Sequence, residues 1–479
     1  MKKILFTLVS LILPLAALSA QDGFRAAYFM KGYQYAHKMN PAFAADRNYL
    51  GVGTGRIGVQ TQSNLGASTF LYPSSGNQTV TFLNEEISSD RFLRQLRKDN
   101  PFHTDIHVDA FNLGFYTQGD KFHTISISAH VQERASLPYD LFRFLKDGTT
   151  DGAAYDLGGV AARLQGYAQV AYGLSMPLTD GLRVGGKVKA LVGLARADAR
   201  FDRFDVQLSS DRWAVATDGR LTAANVPSSA SGNDIAIQDI FDFDQYTVDN
   251  LRPSGFGLAV DLGASWDVLP WLQLSASVLD IGLMHWKLDS RLKTSGTWEY
   301  TGLEEIDLQD DGSFSEQIEA KFDALSALTR FSQGGDGKGT SLLPVTAYVG
   351  AKAHPCDWFS AGLLGTGRLE GRYSWAELRG ALNLEPAYWF GLTAGAAYGT
   401  FGPKLSSAMN LRLGLLALFV GAELSSPYYV TKNGAAFNWN SFKKGDDYPL
   451  PRDNMNLGLT VGVNMVFGRS ARQRAALGE

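Results

Sequence analysis

The sequence predicts an all-β fold, a transmembrane antiparallel up-and-down β-barrel of about 14 strands, with an N-terminal luminal hatch and short helices in its extracellular loops. Three observations predict it. Met455, Leu457, Leu459, Val461, Val463, Met465 and Phe467 recur at every second position, with Asn456, Gly458, Thr460, Gly462 and Asn464 between them. Strand side chains alternate between faces, so this segment has one continuous apolar face that a bilayer accepts directly. The chain also opens with the marks of export, and short turns alternate with long polar connections along it.

Residues 1–20 read as a signal peptide. Met1-Lys2-Lys3 is a basic n-region and Ile4 to Leu18 is apolar. Ala17-Leu18-Ser19 or Leu18-Ser19-Ala20 offers a small-residue cleavage site before Gln21. No cysteine follows, which argues against a lipid anchor, and no later stretch holds the roughly 18 consecutive apolar residues of a spanning helix. A mature chain that enters the membrane does so as a barrel, which satisfies its own backbone polar groups. Residues 21–47 carry Tyr28, Phe29, Tyr33 and Tyr35, too apolar for a free tail, and lack a strand pattern. They predict a segment lodged in the lumen.

Residues 48–467 form the barrel. Period-two segments fall at 48–60, 104–117, 121–132, 160–176, 182–200, 254–268, 271–287, 345–354, 358–369, 373–384, 388–400, 405–415, 418–430 and 455–467. Turn residues join alternate pairs at Gln118-Gly119-Asp120, Thr179-Asp180-Gly181, Leu269-Pro270, Pro355-Cys356-Asp357 and Glu385-Pro386-Ala387. Long polar connections run over 61–103, 201–253, 288–344 and 431–454. This asymmetry predicts periplasmic turns, extracellular loops and an even strand number, with 12 and 16 the even counts on either side of 14. The turn between 405–415 and 418–430 rests on strand length alone. Residues 468–479, with Arg469, Arg472 and Arg474, read as a periplasmic tail.

One face of the inner strands carries charge: Arg183, Lys187 and Lys189 in one segment, Asp261 and Ser265 in another. A charge costs several kcal/mol on the lipid face at mid-depth but pairs across a lumen, which favours a plugged barrel over an open porin. Charged residues are 19% of the chain, below the usual ~25%. The net charge of −4 gives no support for a nucleic-acid partner. Cys356 is the sole cysteine, which excludes an intramolecular disulfide and a thiolate metal cluster; it reads as a buried or membrane-facing bystander.

Three loop segments have helical spacing: 89–97 with Phe92, Leu93 and Leu96, 137–145 with Pro138 early, and 315–332 with Ile318, Phe322, Leu325 and Leu328. They form either a self-packed cap or an apolar reception site. In the second case Phe92, Leu96, Phe142 and Leu145 line the ligand groove.

Other motifs carry little. Gly53-Thr54-Gly55-Arg56-Ile57-Gly58 matches a dinucleotide fingerprint, but its glycines lie inside a strand with no helix after them. Gly337-Lys338-Gly339-Thr340 lacks phosphate-loop spacing. Asp307, Gln309, Asp311, Gly312 and Ser313 imitate a calcium loop whose twelfth position is Ile318 rather than an acid. His103, Asp105 and His107 alternate on one face near His123 and His130, and metal binding there stays open beside ordinary luminal polarity. No catalytic constellation is marked, so the expectation is no enzyme, no cofactor and no metal.

The run Arg25-Ala26-Ala27-Tyr28-Phe29-Met30, with Tyr35, His37 and Met39-Asn40-Pro41-Ala42-Phe43, resembles the start of an uncharacterised family of Gram-negative outer-membrane β-barrels. That family is related to FadL-type fatty-acid transporters and the PorV-like barrel of type IX secretion. Leu65-Gly66, Phe70-Leu71-Tyr72-Pro73, Leu137-Pro138-Tyr139-Asp140-Leu141, Gly255-Phe256-Gly257-Leu258-Ala259 and Val278-Leu279-Asp280-Ile281-Gly282 extend the likeness over most of the chain. The resemblance implies outer-membrane location after export and a hatch around Asn40, Pro41 and Ala42, with Tyr28 and Phe29 beside them. It also implies capture of apolar ligands by helical loops and release toward the membrane. The expected function is binding or transport of a small lipophilic molecule; the alternatives are a protein-docking barrel of a secretion system or a structural barrel. Expected partners are outer-membrane lipid, the barrel-assembly machinery, a lipophilic ligand and a secretion-system protein.

Overall fold

A computed structural model describes residues 23–74, 79–148, 150–225, 234–235, 252–288, 290–300, 331–333, 337–425, 429–430 and 450–470. The long strands are β1 (Asn48–Ser63), β2 (Asp99–Thr117), β3 (Lys121–Pro138), β4 (Ala161–Thr179), β5 (Leu182–Leu208), β6 (Gly255–Leu269) and β7 (Leu272–Leu288). They continue as β8 (Val345–Cys356), β9 (Phe359–Leu369), β10 (Trp375–Ala387), β11 (Phe390–Gly399), β12 (Lys404–Leu413), β13 (Leu416–Leu424) and β14 (Met455–Phe467). Each pairs antiparallel with the next, and β14 pairs back onto β1 with Asn48 opposite Phe467 and Ser63 opposite Met455. The sheet is a closed barrel of 14 strands. All the expected strands are present. The turn inferred only from length is Gly414–Leu415, where Gly414 takes a φ of 63°, a left-handed conformation that glycine adopts without strain.

The outward face is apolar. On β14 Leu459, Val461, Val463, Met465 and Phe467 are exposed, while Asn456, Thr460 and Asn464 point inward and are buried. On β7 the outward series runs from Leu274 through Val278 and Ile281 to Leu283. Ten residues make about 33 Å of strand, or about 25 Å of height at the usual tilt, which matches an outer-membrane apolar band. Trp266, Trp271, Trp358, Tyr388 and Trp389 are exposed at the short-turn end, where interfacial aromatics belong. No described helix is long and apolar enough to cross a membrane.

The long-loop end holds more strand than expected. β5 runs on to Leu208, and the connections read as polar loops contain strands Trp213–Ala224, Ser290–Tyr300 and Gly337–Leu342. Trp213–Ala224 buries Val215 and Leu221 on one side and exposes Asp218 and Arg220 on the other. Its apolar face is too short and too interrupted by polar residues to stand out in the sequence. Among the helices, α1 (Ser89–Leu93) stops earlier than the expected 89–97, and its Ser88 Oγ accepts from Arg91 N at 3.3 Å. α2 (Tyr139–Asp147) starts directly after Pro138 and ends at Gly148. Of the expected helix at 315–332, residues 331–332 belong instead to a short strand, Phe331–Gln333, paired with Leu292–Lys293; residues 315–330, the Asp307–Ser313 loop, residues 1–20 and tail residues 471–479 lie outside the described residues.

A closed barrel of this kind resists urea extraction from membranes and migrates faster on SDS gels before heating than after. A single heat-independent band, or recovery in the soluble fraction, contradicts the fold.

Candidate functional site

Residues 24–45 lie inside the barrel, where they touch strands around its circumference. Tyr28 Oη donates to Ser275 Oγ on β7 at 3.2 Å, Tyr35 Oη donates to the Gly55 carbonyl on β1 at 2.6 Å, and the Ala42 carbonyl accepts from Ser175 Oγ on β4 at 2.7 Å. Asn40 Oδ1 accepts from Ala42 N at 2.9 Å, closing a side-chain turn around Pro41. Asn40 Nδ2 donates to the Ala264 carbonyl on β6 at 3.1 Å. Tyr28, Phe29, Asn40 and Ala42 are all buried.

Inward glycines of the barrel make room for this segment. A Cβ at Gly185 would collide with the Pro41 backbone, at Gly263 with Asn40 Oδ1, at Gly362 with the Phe29 ring and at Gly462 with the Tyr35 ring. The aromatic side chains form one buried cluster with Leu279, Tyr348, Leu364 and Phe419 of the wall.

Charge fixes it as well. Asp109 on β2 accepts from Lys38 Nζ at 2.8 Å, from Arg56 Nε on β1 at 2.8 Å, and contacts His107 Nε2 at 2.6 Å. Toward the long-loop end Arg25 lies 3.4 Å from Glu377 and 3.8 Å from Glu423. Arg379 and Lys404 bridge the same two carboxylates. A third network joins Arg134 to Asp105 and Glu370, Arg368 to Glu370 and Arg163 to Asp198. The expected inward charges fit this scheme, since Lys189 pairs with Asp261 at 2.8 Å and Arg183 with Asp120. Between the networks is an enclosed cavity of about 30 Å³, lined by Gln60, Gln62, His107, His130, Asp280 and Arg368 among others. It has room for about two waters and none for a lipophilic ligand.

The wall has one conspicuous break. Between Leu50, opposite Met465, and Arg56, opposite Gly462, β1 advances six residues (56 − 50) while β14 advances three (465 − 462). Gly53 sits in this bulge at a φ of 77°, and Val52 points outward with 68% of its surface exposed. The inner side is occupied by Tyr35, whose ring lies 5.0 Å from the Arg56 guanidinium, and by Asn464 Nδ2, which donates to Tyr35 Oη at 2.8 Å.

At the long-loop rim, Phe92 and Phe142 pack edge to face with centroids 6.2 Å apart, and Phe82 stacks on Phe92 at 4.3 Å. Leu96 and Leu145 pack on the same cluster, so the four rim residues singled out in the sequence converge. They interlock, and none of them lines the cavity between the charge networks. The histidines divide. His107 Nδ1 and His130 Nδ1 are 3.3 Å apart inside the lumen, whereas His123 bonds Tyr172 Oη on the outside. Among the described residues no group of three or more His, Cys, Asp or Glu could hold a metal ion.

Sequence reasoning did not single out Arg25, Lys38, Arg56 and Asp109 as anchors. Lys38 and Arg56 lie far from Asp109 in sequence, as Arg25 does from Glu377, and only the folded barrel brings each set together.

Removing one partner of a buried charge pair costs about 3–5 kcal/mol. Asp109→Ala is therefore expected to loosen residues 24–45, raising conductance in planar bilayers and exposing Lys38 to trypsin while the heat-shifted band persists. Unchanged conductance and protection would show that Asp109 does not anchor the segment. His37 is buried against Tyr49 Oη at 2.6 Å, and burial followed by the Lys187 charge holds it well below its ordinary 6.5. The undocked segment takes up a proton that the docked one refuses, so docking is strongest above pH 6.5 and weakens as pH falls below it. Conductance should rise on acidification to about pH 5, less so in His37→Gln.

No curated protein matches the chain. Solved structures of similar architecture include a Pseudomonas aeruginosa FadL homologue, with 10% identity, coverage of 94% of this chain and 99% of that one, and a TM-score of 0.45. The Pseudomonas putida toluene transporter TodX has 8% identity, coverage of 91% and 95%, and a TM-score of 0.40. Residues 41–423 match the family of unknown function DUF5723, and the chain belongs to that family.

Proposed function

We propose that this outer-membrane barrel moves a small lipophilic molecule from its long-loop rim to the bilayer through the wall rather than down the lumen. The observation that carries this reading is the β1 break at residues 51–55, set in the outward apolar band beside a lumen filled by protein and buried ion pairs. A lipophile gains about 0.8 kcal/mol per methylene in an apolar setting and would lose it among those charges. The rim cluster of Phe92, Leu96, Phe142 and Leu145 is the apolar surface that receives it, by parting rather than by offering a ready groove. Residues 24–45, with Asn40, Pro41 and Ala42 at their turn, Phe29 against the wall glycines and Tyr28 bonded to Ser275, act as the hatch that denies the straight path. Export by residues 1–20 and release of the ligand into the membrane complete the scheme.

A docking role for secreted or partner proteins is the second reading. It is favoured by the raised sheet, whose tip gathers Trp213, Trp298 and Tyr300, with Trp213 and Tyr300 5.8 Å apart and Trp298 and Tyr300 stacked.

The test uses Val52→Cys in a Cys356→Ser background, blocked with a bulky maleimide. Uptake of an environment-sensitive naphthylamine dye into proteoliposomes should fall at least about fivefold. The same modification at Leu258→Cys, outward but remote from the break, should leave it unchanged. Equal uptake at both positions overturns lateral release. Phe92→Ala with Phe142→Ala, which loosens the rim without charging it, should raise initial uptake; no change would separate the rim from ligand entry.

A further inference from the structure

Lys287 near the end of β7 and Lys338 on the strand Gly337–Leu342 are direct cross-strand partners, and both are exposed on the outer face. Like charges placed opposite one another destabilise a sheet unless something neutralises them. A third cation adds to the problem. Arg291 donates from Nη2 to the Lys338 carbonyl, and its guanidinium occupies the space that a Cβ at Gly337 would take. Among the described residues none of these three cations forms an ion pair, although buried and surface cations elsewhere in the barrel commonly do.

Their height on the barrel supplies the explanation. In the same register Leu283 faces Leu342, exposed by 48% and 83%, and β6 adds Leu258, opposite Leu283. Next comes a mixed row of Phe256, His285 and Thr340, with His285 Nδ1 3.1 Å from Thr340 Oγ1. Lys287 and Lys338 stand one outward row further, about 7 Å along the strands. Apolar belt, amphipathic row and cations follow one another as acyl chain, glycerol or sugar region and phosphate do in a lipid leaflet.

We infer that Lys287, Lys338 and Arg291 form an outward-facing site for the phosphate-bearing headgroup of an anionic lipid in the leaflet at the long-loop end. Its acyl chains lie along Leu258, Leu283 and Leu342. The lipid's phosphate neutralises the cross-strand lysine pair, and the aliphatic stems of the lysines cover the Phe256–His285–Thr340 row. The site fixes the depth and rotation of the barrel against its lipid and is independent of what the barrel carries.

The experiment is native mass spectrometry of the full-length mature protein in detergent, titrated with phosphatidylglycerol and, separately, with phosphatidylcholine. Each cation near a membrane surface contributes a measurable share of anionic-lipid affinity. The variant Lys287→Ser, Lys338→Ser, Arg291→Ser should therefore bind phosphatidylglycerol about tenfold or more weakly while binding phosphatidylcholine like wild type. Its heat-shifted gel band reports an intact barrel. A charge-matched control, Arg200→Ser, Arg203→Ser and Arg220→Ser on the raised extension of β5 and its partner strand Trp213–Ala224, should leave both affinities unchanged. Equal phosphatidylglycerol affinity in wild type and triple variant overturns the site. So does a loss that the control reproduces, or a wild type that does not distinguish the two lipids.

Discussion

The pairing of β14 with β1 is the constraint on which the rest of the molecule depends. In hydrocarbon an unpaired backbone N–H or carbonyl costs several kcal/mol, so a sheet edge cannot face lipid and the strands must close. Closure sends every second side chain inward. That turns the polar half of a strand such as Asn456 to Asn464 into a lumen wall, and it places residues from distant parts of the chain within bonding distance of one another. Asp109 meets Arg56 across the paired strands β1 and β2, and the enclosed lumen brings Lys38 onto Asp109 and Arg25 onto Glu377. Without that enclosure Lys38 and Arg25 would lose these carboxylates.

The lumen that closure creates is then consumed. Residues 24–45 fit between inward glycines through the rings of Phe24, Phe29 and Tyr35, and ion pairs at two heights hold them. Buried ion pairs add little net stability once desolvation is counted, but losing one partner is expensive. Such an arrangement specifies position more than it adds strength, which suits a segment that must stay in register with the wall. The break in β1 lies next to it: Tyr35 bonds the Gly55 carbonyl and lies under Arg56, so the inner segment and the wall irregularity are one mechanical unit. Any rearrangement of Tyr35 bears directly on the wall at residues 51–55.

Much of this was legible in the sequence, and the reasons are physical. Period-two alternation is strong where one face meets lipid, as in β14 and β7, and all the spanning strands could be found from it. It fades where the buried face is short and interrupted by polar residues, which is why Trp213–Ala224 and Ser290–Tyr300 passed for loops. Bulges were invisible: Asp280 at a φ of 62° shifts the outward parity of β7 from even to odd positions, and no composition signal marks it. The inward charges at Lys189 and Asp261 were readable as charges facing a lumen, but not as partners, since pairing depends on a register that only the closed barrel sets. The apolar rim residues Phe92 and Phe142 could be placed on the same rim by the alternation of short turns and long loops. Their tight edge-to-face packing, and hence the need to part before receiving a ligand, could not.

The central claim is that lipophile and ions do not share a route, because the lumen is plugged while the wall carries its irregularity at residues 51–55. The most direct measurement is made on one reconstituted preparation of wild-type protein, recording transmembrane current and uptake of a naphthylamine dye side by side. The account predicts protein-dependent dye uptake with no open-pore current at neutral pH. An ion current that rises in proportion to dye uptake, and is abolished by the same block, would contradict it.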